Sequence, residues 1–290
     1  MTKIIDGKKI STEIKEEIKK DIDRLKKDGS RVPGLAVIIV GENPASKVYV
    51  NSKVKTCEAL GIYSEKYSLD SEISEEELLK LIEKLNNKEE IDGILVQLPL
   101  PKHIDDDKVI ECITPDKDVD GFHPINLGKL VTGKTKFKSC TPYGIIELLK
   151  RYDVSLSGKD VVIIGRSNIV GKPLSLMMTN ESATVTLCHS RTKNLIEKTQ
   201  KADIIVVAIG VEKFLTKDMV KNGSIVIDVG INRTKEGKLC GDVDFDHVSE
   251  KTSLITPVPG GVGPMTIAML MKNTVKSRFE KNKKEVEKWK

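Results

Sequence analysis

Short, wholly apolar runs separated by helical patterns constrain this chain more than any other feature. Leu35-Ala36-Val37-Ile38-Ile39-Val40 is apolar at every position, as a strand buried on both faces must be. Comparable runs lie within residues 92–99, 159–164, 203–210 and 224–230, and Ala183 to Cys188, broken by Thr184 and Thr186, reads as a further strand. Between them stand amphipathic helices. Ile10, Ile14, Ile18, Ile22 and Leu25 recur at steps of four and three across residues 8–27, which puts them on one helical face. Ser74 with Glu77 forms a capping box that opens a helix to about Leu85. Strand–helix alternation demands a parallel sheet covered by helices. Ligands of such sheets bind beyond the carboxyl ends of the strands.

The length of 290 residues suits two domains. The expected fold class is α/β with two lobes. An N-terminal α/β catalytic lobe covers residues 1–139, with a C-terminal helix at 270–290 packing back on it. A Rossmann-like dinucleotide lobe with a parallel sheet covers 140–269, and the active site lies in the cleft. The segment Thr114 to Cys140 is rich in Gly, Pro, Asp and Lys and reads as a loop. Thr141 and Pro142 read as N-cap and first residue of a helix to Arg151.

Composition excludes several classes. Net charge is +5 and aromatics are 4%, without the concentrated basic face and stacking rings of a nucleic-acid binder. The basic cluster Lys276 to Lys290 is mixed with glutamates and reads as a solvated terminal helix and tail. No apolar run spans a membrane and the N-terminus lacks a signal core, so a cytoplasmic protein is expected. Five scattered cysteines and four distant histidines give neither a disulfide framework nor a zinc spacing. Asp116-Lys117-Asp118-Val119-Asp120-Gly121 mimics a calcium loop, but its twelfth position is Leu127 where a bidentate glutamate is required. No metal is expected.

Two stretches carry the chemistry. Ser46 to Gly61 has no proline or internal glycine, so Tyr49 and Lys53 share a helical face one turn apart. A tyrosine beside a shielded lysine suits proton transfer. A solvated pair of surface residues explains the same spacing, since Lys47 and Lys55 stand nearby. Gln97 and Leu98 end the second apolar strand, at the same sheet edge. The second stretch runs Val161 to Pro173 as strand, glycine turn and helix. Ser167 and Val170 stand where the dinucleotide fingerprint has its second and third glycines, so an ordinary strand–helix turn is also open. The next strand ends in His189-Ser190-Arg191. An acid there would hold the ribose of NAD; a hydroxyl and a guanidinium instead favour the 2′-phosphate of NADP. Thr256 to Thr266 is dense in Gly and Pro and reads as a ligand loop, or as a turn before a last helix from Met265 to Arg278.

Together these blocks resemble the bifunctional methylenetetrahydrofolate dehydrogenase/cyclohydrolases. The resemblance is carried by Val48 to Lys53, Val96 to Pro101, Pro115 to Gly121, Gly165-Arg166-Ser167 with Val170 to Pro173, and Pro257 to Pro264, in the family's order. It implies NADP-dependent oxidation of 5,10-methylenetetrahydrofolate to the methenyl cation, then hydrolysis to 10-formyltetrahydrofolate, within one-carbon metabolism and purine biosynthesis. It implies Lys53 as the catalytic lysine, Tyr49 against the folate, Gln97 holding Lys53, and Asp120 pairing with the pterin's amino edge. Leu98, Pro259, Gly260, Gly263 and Thr266 match folate-side positions. Gly165, Arg166, Ser167, Ser190 and Ile231 match NADP-side positions, beside which Arg191 stands as the guanidinium read above for the 2′-phosphate. A homodimer through the dinucleotide lobe is also implied. Two rivals are a short-chain dehydrogenase, whose Y-x-x-x-K follows rather than precedes its glycine turn, and a dinucleotide sensor without catalysis.

Overall fold

The computed structural model describes residues 2–234 and 237–287. The tail expected at the extreme C-terminus, residues 288–290, lies outside the described residues. In chain order the strands are β1 (Lys3–Ile4), β2 (Gly34–Val40), β3 (Tyr63–Leu69), β4 (Gly93–Val96), β5 (Asp160–Ile164), β6 (Thr184–Cys188), β7 (Ile204–Val207), β8 (Ile225–Asp228), β9 (Asn232–Arg233), β10 (Leu239–Cys240) and β11 (Leu254–Ile255). The helices are α1 (Gly7–Lys27), α2 (Pro44–Leu60), α3 (Glu75–Asn86), α4 (Asp106–Cys112), α5 (Pro124–Val131), α6 (Cys140–Arg151), α7 (Gly171–Asn180), α8 (Leu195–Lys201), α9 (Phe245–Ser249) and α10 (Val262–Glu287).

The chain divides into two compact units, one of residues 13–138 with 270–290 and one of residues 1–12 with 139–269. The first unit holds a three-stranded parallel sheet in the order β3-β2-β4. All seven residues of β2 are buried, which explains its unbroken apolar run. Ile38, Val40, Leu78, Ile82, Leu85, Ile94 and Val109 form the core beside it. Burying each such side chain contributes about 1.5–3 kcal/mol. The second unit holds a six-stranded parallel sheet in the order β1-β11-β8-β7-β5-β6. Its core gathers Val162, Ile164, Ile205, Val207, Val226 and Ile255. This is the α/β class with parallel sheets read from the apolar runs.

Several local expectations change. Residues 1–12, assigned from sequence to the first lobe, group with 139–269, because β1 pairs with β11 at the sheet edge. Strand β3 adds to the first sheet, although its polar, alternating residues gave no apolar run. The segment 114–140 is not all loop: His123 accepts a hydrogen bond from the Ile125 N–H through Nδ1 at 3.0 Å and so caps α5. Helix α6 begins at Cys140 with Ser139 at the cap position. Thr141 instead spends its hydroxyl on the Thr266 hydroxyl, 2.9 Å away. Helix α10 starts before Met265, at Val262. Pro264 sits in its first turn, where no helical hydrogen bond needs its missing N–H. No helix of the described residues is long and apolar enough to cross a membrane.

Candidate active site

Helix α2 follows β2 through a short turn. Asn43 caps it, accepting the N–H groups of Ala45 and Ser46 at 3.0 and 3.1 Å. Gly61 stops it in the left-handed conformation, φ 77°, where a side chain would be strained. One face of this helix is buried through Val50, Lys53, Cys57 and Leu60. Lys53 is therefore not a solvated surface lysine: it is only 7% exposed. Its Nζ donates to Gln97 Oε1 at 2.9 Å. The Gln97 Nε2 donates to the Leu98 carbonyl at 2.7 Å. A carbonyl only accepts, so that bond turns the amide oxygen toward Lys53. Tyr49 is half-buried one turn earlier on α2, and burial raises the pKa of its phenol. Cys57 lies a turn beyond Lys53, donates its thiol to Met271 Sδ at 3.5 Å, and burial pushes its pKa up to about 12. It is inert there.

Gln97 directly follows β4, where its N–H donates to Ile38 O of β2 at 2.9 Å. The neighbouring strand ends thus bring Gln97 to the α2 face that carries Lys53. Leu98 and Asp120 line one small cavity with Phe122 and Val96. Asp120 is half-buried in the loop before α5. The three aspartates of the calcium-like run are used separately. Asp116 pairs with Lys136 at 3.3 Å, Asp118 is buried in hydrogen bonds, and Asp120 is half-buried, lining the cavity together with Asp118.

In the second unit, β5 ends at the glycine turn. Gly165 has φ 121°, and a Cβ there would lie 2.3 Å from the Ala208 carbonyl oxygen. A Cβ on Gly171 would lie 1.9 Å from the Gly165 carbonyl oxygen. Two glycines are required for this strand to turn so tightly into α7. Arg166 and Ser167 are exposed on the turn, and Ser167 Oγ accepts the Val170 N–H at 3.1 Å. The Gly165 N–H donates to the Cys188 carbonyl at 2.9 Å, joining this turn to the end of β6. Ser190 and Arg191 follow there, both exposed, with the Arg191 N–H donating to His189 Nδ1 at 3.2 Å. A glycine turn at a helix start, beside an exposed hydroxyl and guanidinium, suits a pyrophosphate and a further phosphate. Ile231 is half exposed between β8 and β9. Pro259 and Gly260 precede α10; Gly263 and Thr266 sit in its first two turns.

Two buried carboxylates, Asp228 and Asp242, organise the loops of this unit. Asp228 accepts the N–H groups of Gly230, Asp242 and Val243 at 2.9–3.0 Å. Asp242 accepts those of Ile209 and Gly210 at 2.7 and 3.0 Å, and the Asn232 side-chain amide at 2.9 Å. Between them they fasten the loops after β7, β8 and β10. In sequence each stands close to a glycine, Asp228 two residues before Gly230 and Asp242 directly after Gly241. A Cβ on Gly230 would lie 2.1 Å from Asp242 Oδ1.

Comparison with known proteins agrees with both halves. Residues 5–120 match the model of the tetrahydrofolate dehydrogenase/cyclohydrolase catalytic domain, and residues 139–282 match that of the same family's NAD(P)-binding domain. A bifunctional protein FolD from Campylobacter hominis is 60% identical over 274 residues, covering 94% of this chain and 96% of the relative. A crystal structure of the bifunctional FolD methylenetetrahydrofolate dehydrogenase/cyclohydrolase from Campylobacter jejuni superposes with a TM-score of 0.95 at 55% identity, covering 97% of this chain and all of that one. The Trypanosoma brucei dehydrogenase-cyclohydrolase, complexed with NADP cofactor and inhibitor, gives a TM-score of 0.93 at 36% identity over 97% and 98% of the two chains.

Proposed function

Because this chain belongs to the tetrahydrofolate dehydrogenase/cyclohydrolase family, we propose that it oxidises 5,10-methylenetetrahydrofolate with NADP⁺ and hydrolyses the methenyl product to 10-formyltetrahydrofolate. The observation that carries the residue assignment is the buried Lys53 held at 2.9 Å by Gln97. When bound, NADP⁺ supplies the hydride acceptor. The turn Gly165-Arg166-Ser167 holds its pyrophosphate, Ser190 and Arg191 its 2′-phosphate, and Ile231 packs against it.

On the folate side, Asp120 accepts two hydrogen bonds from the pterin's amino edge. Leu98 and the Tyr49 ring bound the pterin, and Pro259, Gly260, Gly263 and Thr266 contact the folate. Oxidation asks mainly for alignment, because the substrate is already an activated iminium equivalent. Hydrolysis asks for proton transfer. Water adds to the methenyl carbon, and Lys53 Nζ takes the proton it sheds. The bond from that carbon to N5 then breaks, N5 takes a proton back, and the carbon keeps the oxygen as the formyl group. One proton is released in total. Gln97 keeps Nζ aimed during both transfers.

The family's order of motifs sets the short-chain reading aside: Tyr49 and Lys53 belong to a different unit from the Gly165 turn. We also propose a cytoplasmic homodimer that assembles through the dinucleotide unit and serves purine biosynthesis. Strand β6 ends that unit's sheet and offers an edge for a second copy. Sedimentation that returns only monomer at assay concentrations would remove the dimer. The activity is tested by absorbance with 5,10-methylenetetrahydrofolate and NADP⁺, then NAD⁺, with acid quenching to reconvert 10-formyl product. Reduction of NADP⁺ with 10-formyl product is expected. Reduction with methenyl product decaying no faster than without enzyme would remove the hydrolytic role of Lys53. No reduction with either cofactor would remove the proposal.

A further inference from the structure

Asp118 is 2% exposed and takes no part in the chemistry above. Its carboxylate nevertheless collects four donors. Oδ1 accepts the N–H groups of Gly121 and Phe122, both at 3.1 Å. Oδ2 accepts the His123 N–H at 2.9 Å and the Asn126 side-chain amide at 2.8 Å. Four donors fill the carboxylate's usual acceptor sites. The same Asn126 amide reaches back to the Pro115 carbonyl at 3.0 Å. The turn that these bonds close has Asp120 between its anchored ends.

The other side of the turn is fixed as firmly. The Ile94 N–H of β4 donates to the Lys117 carbonyl at 2.9 Å. Asn273 of α10 donates its side-chain amide to the Val119 carbonyl at 2.8 Å. Val119 packs so closely on Gly93 that a Cβ there would lie 2.6 Å from its Cγ1. Residues 117–119 are thus locked to the sheet. Residues 121–123 are locked to the Asp118 side chain. The backbone of Asp120, between them, has little freedom left. That rigidity is worth most where a carboxylate must meet two donors of a planar ligand at once.

We infer that Asp118 is a positioning residue for folate recognition: its four-donor carboxylate sets the loop geometry that presents Asp120 to the pterin. The inference rests on Asp120 as the pterin's partner. An amide at 118 keeps one accepting oxygen and turns a donor against two others, so half of the anchoring bonds are lost. The test is steady-state kinetics of Asp118→Asn, Asp120→Asn and the double variant, with the folate and NADP⁺ varied separately. Asp118→Asn is expected to raise the folate KM by about tenfold to a hundredfold, the effect of a sub-ångström to ångström misplacement. The NADP⁺ KM stays within about twofold. The double variant is expected to match Asp120→Asn alone within about twofold, since Asp118 acts through Asp120 and coupled residues do not add.

An unchanged folate KM in Asp118→Asn overturns the inference. So does a double variant whose effects multiply, which would indicate a general structural defect. An Asp120→Asn enzyme with unchanged folate KM removes the underlying assignment of Asp120 instead. If Asp118→Asn does not fold, Asn126→Ala takes its place, removing one donor of the four. It is expected to raise the folate KM about threefold, again without effect on the Asp120→Asn background, and a folate KM equal to the parent's overturns the inference.

Discussion

Asp228 carries the sharpest pH prediction in the molecule. It ends β8, is 2% exposed, and lies beside the fully buried Asp242. Burial and the Asp242 charge push its carboxyl up from 3.8 to about 6, against the pull of three backbone N–H groups. A raised carboxyl pKa means that the folded state holds a proton that the unfolded state releases between about 3.8 and 6. This group's contribution to stability is therefore present at acid pH and lost as pH rises through that window. The shift, about 6 − 3.8, corresponds to about 3 kcal/mol. Asp228→Asn removes the titration. The amide also faces one N–H with a donor, a penalty that does not vary with pH. The slope of the difference between parent and variant, rather than its offset, isolates the carboxyl. Urea unfolding of both proteins at half-unit steps from pH 4 to pH 7 is the assay. The variant is expected to gain on the parent by about 2 of those 3 kcal/mol from pH 4 to pH 7, the difference levelling off as pH nears 7. A flat difference throughout refutes the burial argument. A gain of the opposite sign would mean that the three N–H groups outweigh burial and depress the carboxyl.

Three further outcomes follow from the two units. Lys53→Met keeps the buried stem of the side chain and removes the amine, so hydrolysis of the methenyl form falls by about 10²–10⁴ while hydride transfer falls less. Loss of the dehydrogenase alone, with hydrolysis intact, contradicts the role given to Lys53. Gly171→Ala places a methyl group 1.9 Å from the Gly165 carbonyl oxygen, so the turn must open. The dissociation constant of NADP⁺, followed by calorimetry, is expected to rise at least about tenfold. Arg191→Glu sets a carboxylate where the proposed function puts the 2′-phosphate, and the ratio of kcat/KM for NADP⁺ over NAD⁺ is expected to fall at least about tenfold; an unchanged ratio would move the 2′-phosphate site elsewhere.

The sheets were legible because strands buried on both faces leave unbroken apolar runs, and β2, β4, β5, β7 and β8 each have one. Strand β3 left none: unlike β4 at the other edge of the sheet, which is buried throughout, it is exposed or half-buried along its whole length, with Tyr63 and Tyr67 donating to Glu65 between them at 2.6 and 2.5 Å. The two residues of β1 are too short for any period. On the site side, spacing alone put Tyr49 and Lys53 on one helical face. It could not decide between a solvated and a buried lysine, because that depends on which face of α2 meets the sheet. The run Asp116 to Gly121 makes the point most clearly. Three carboxylates at alternate positions look equivalent in sequence, and a metal loop is the pattern that they first suggest. What separates them is the surroundings that the fold gives each. Asp116 meets a lysine ammonium near the surface, Asp118 meets four donors and is saturated, and Asp120 is half-buried on the turn between the anchored segments. A carboxylate saturated by its own chain has no acceptor left for a ligand. In the reading proposed above, recognition falls to Asp120, and the saturated neighbour supplies the stiffness that recognition needs.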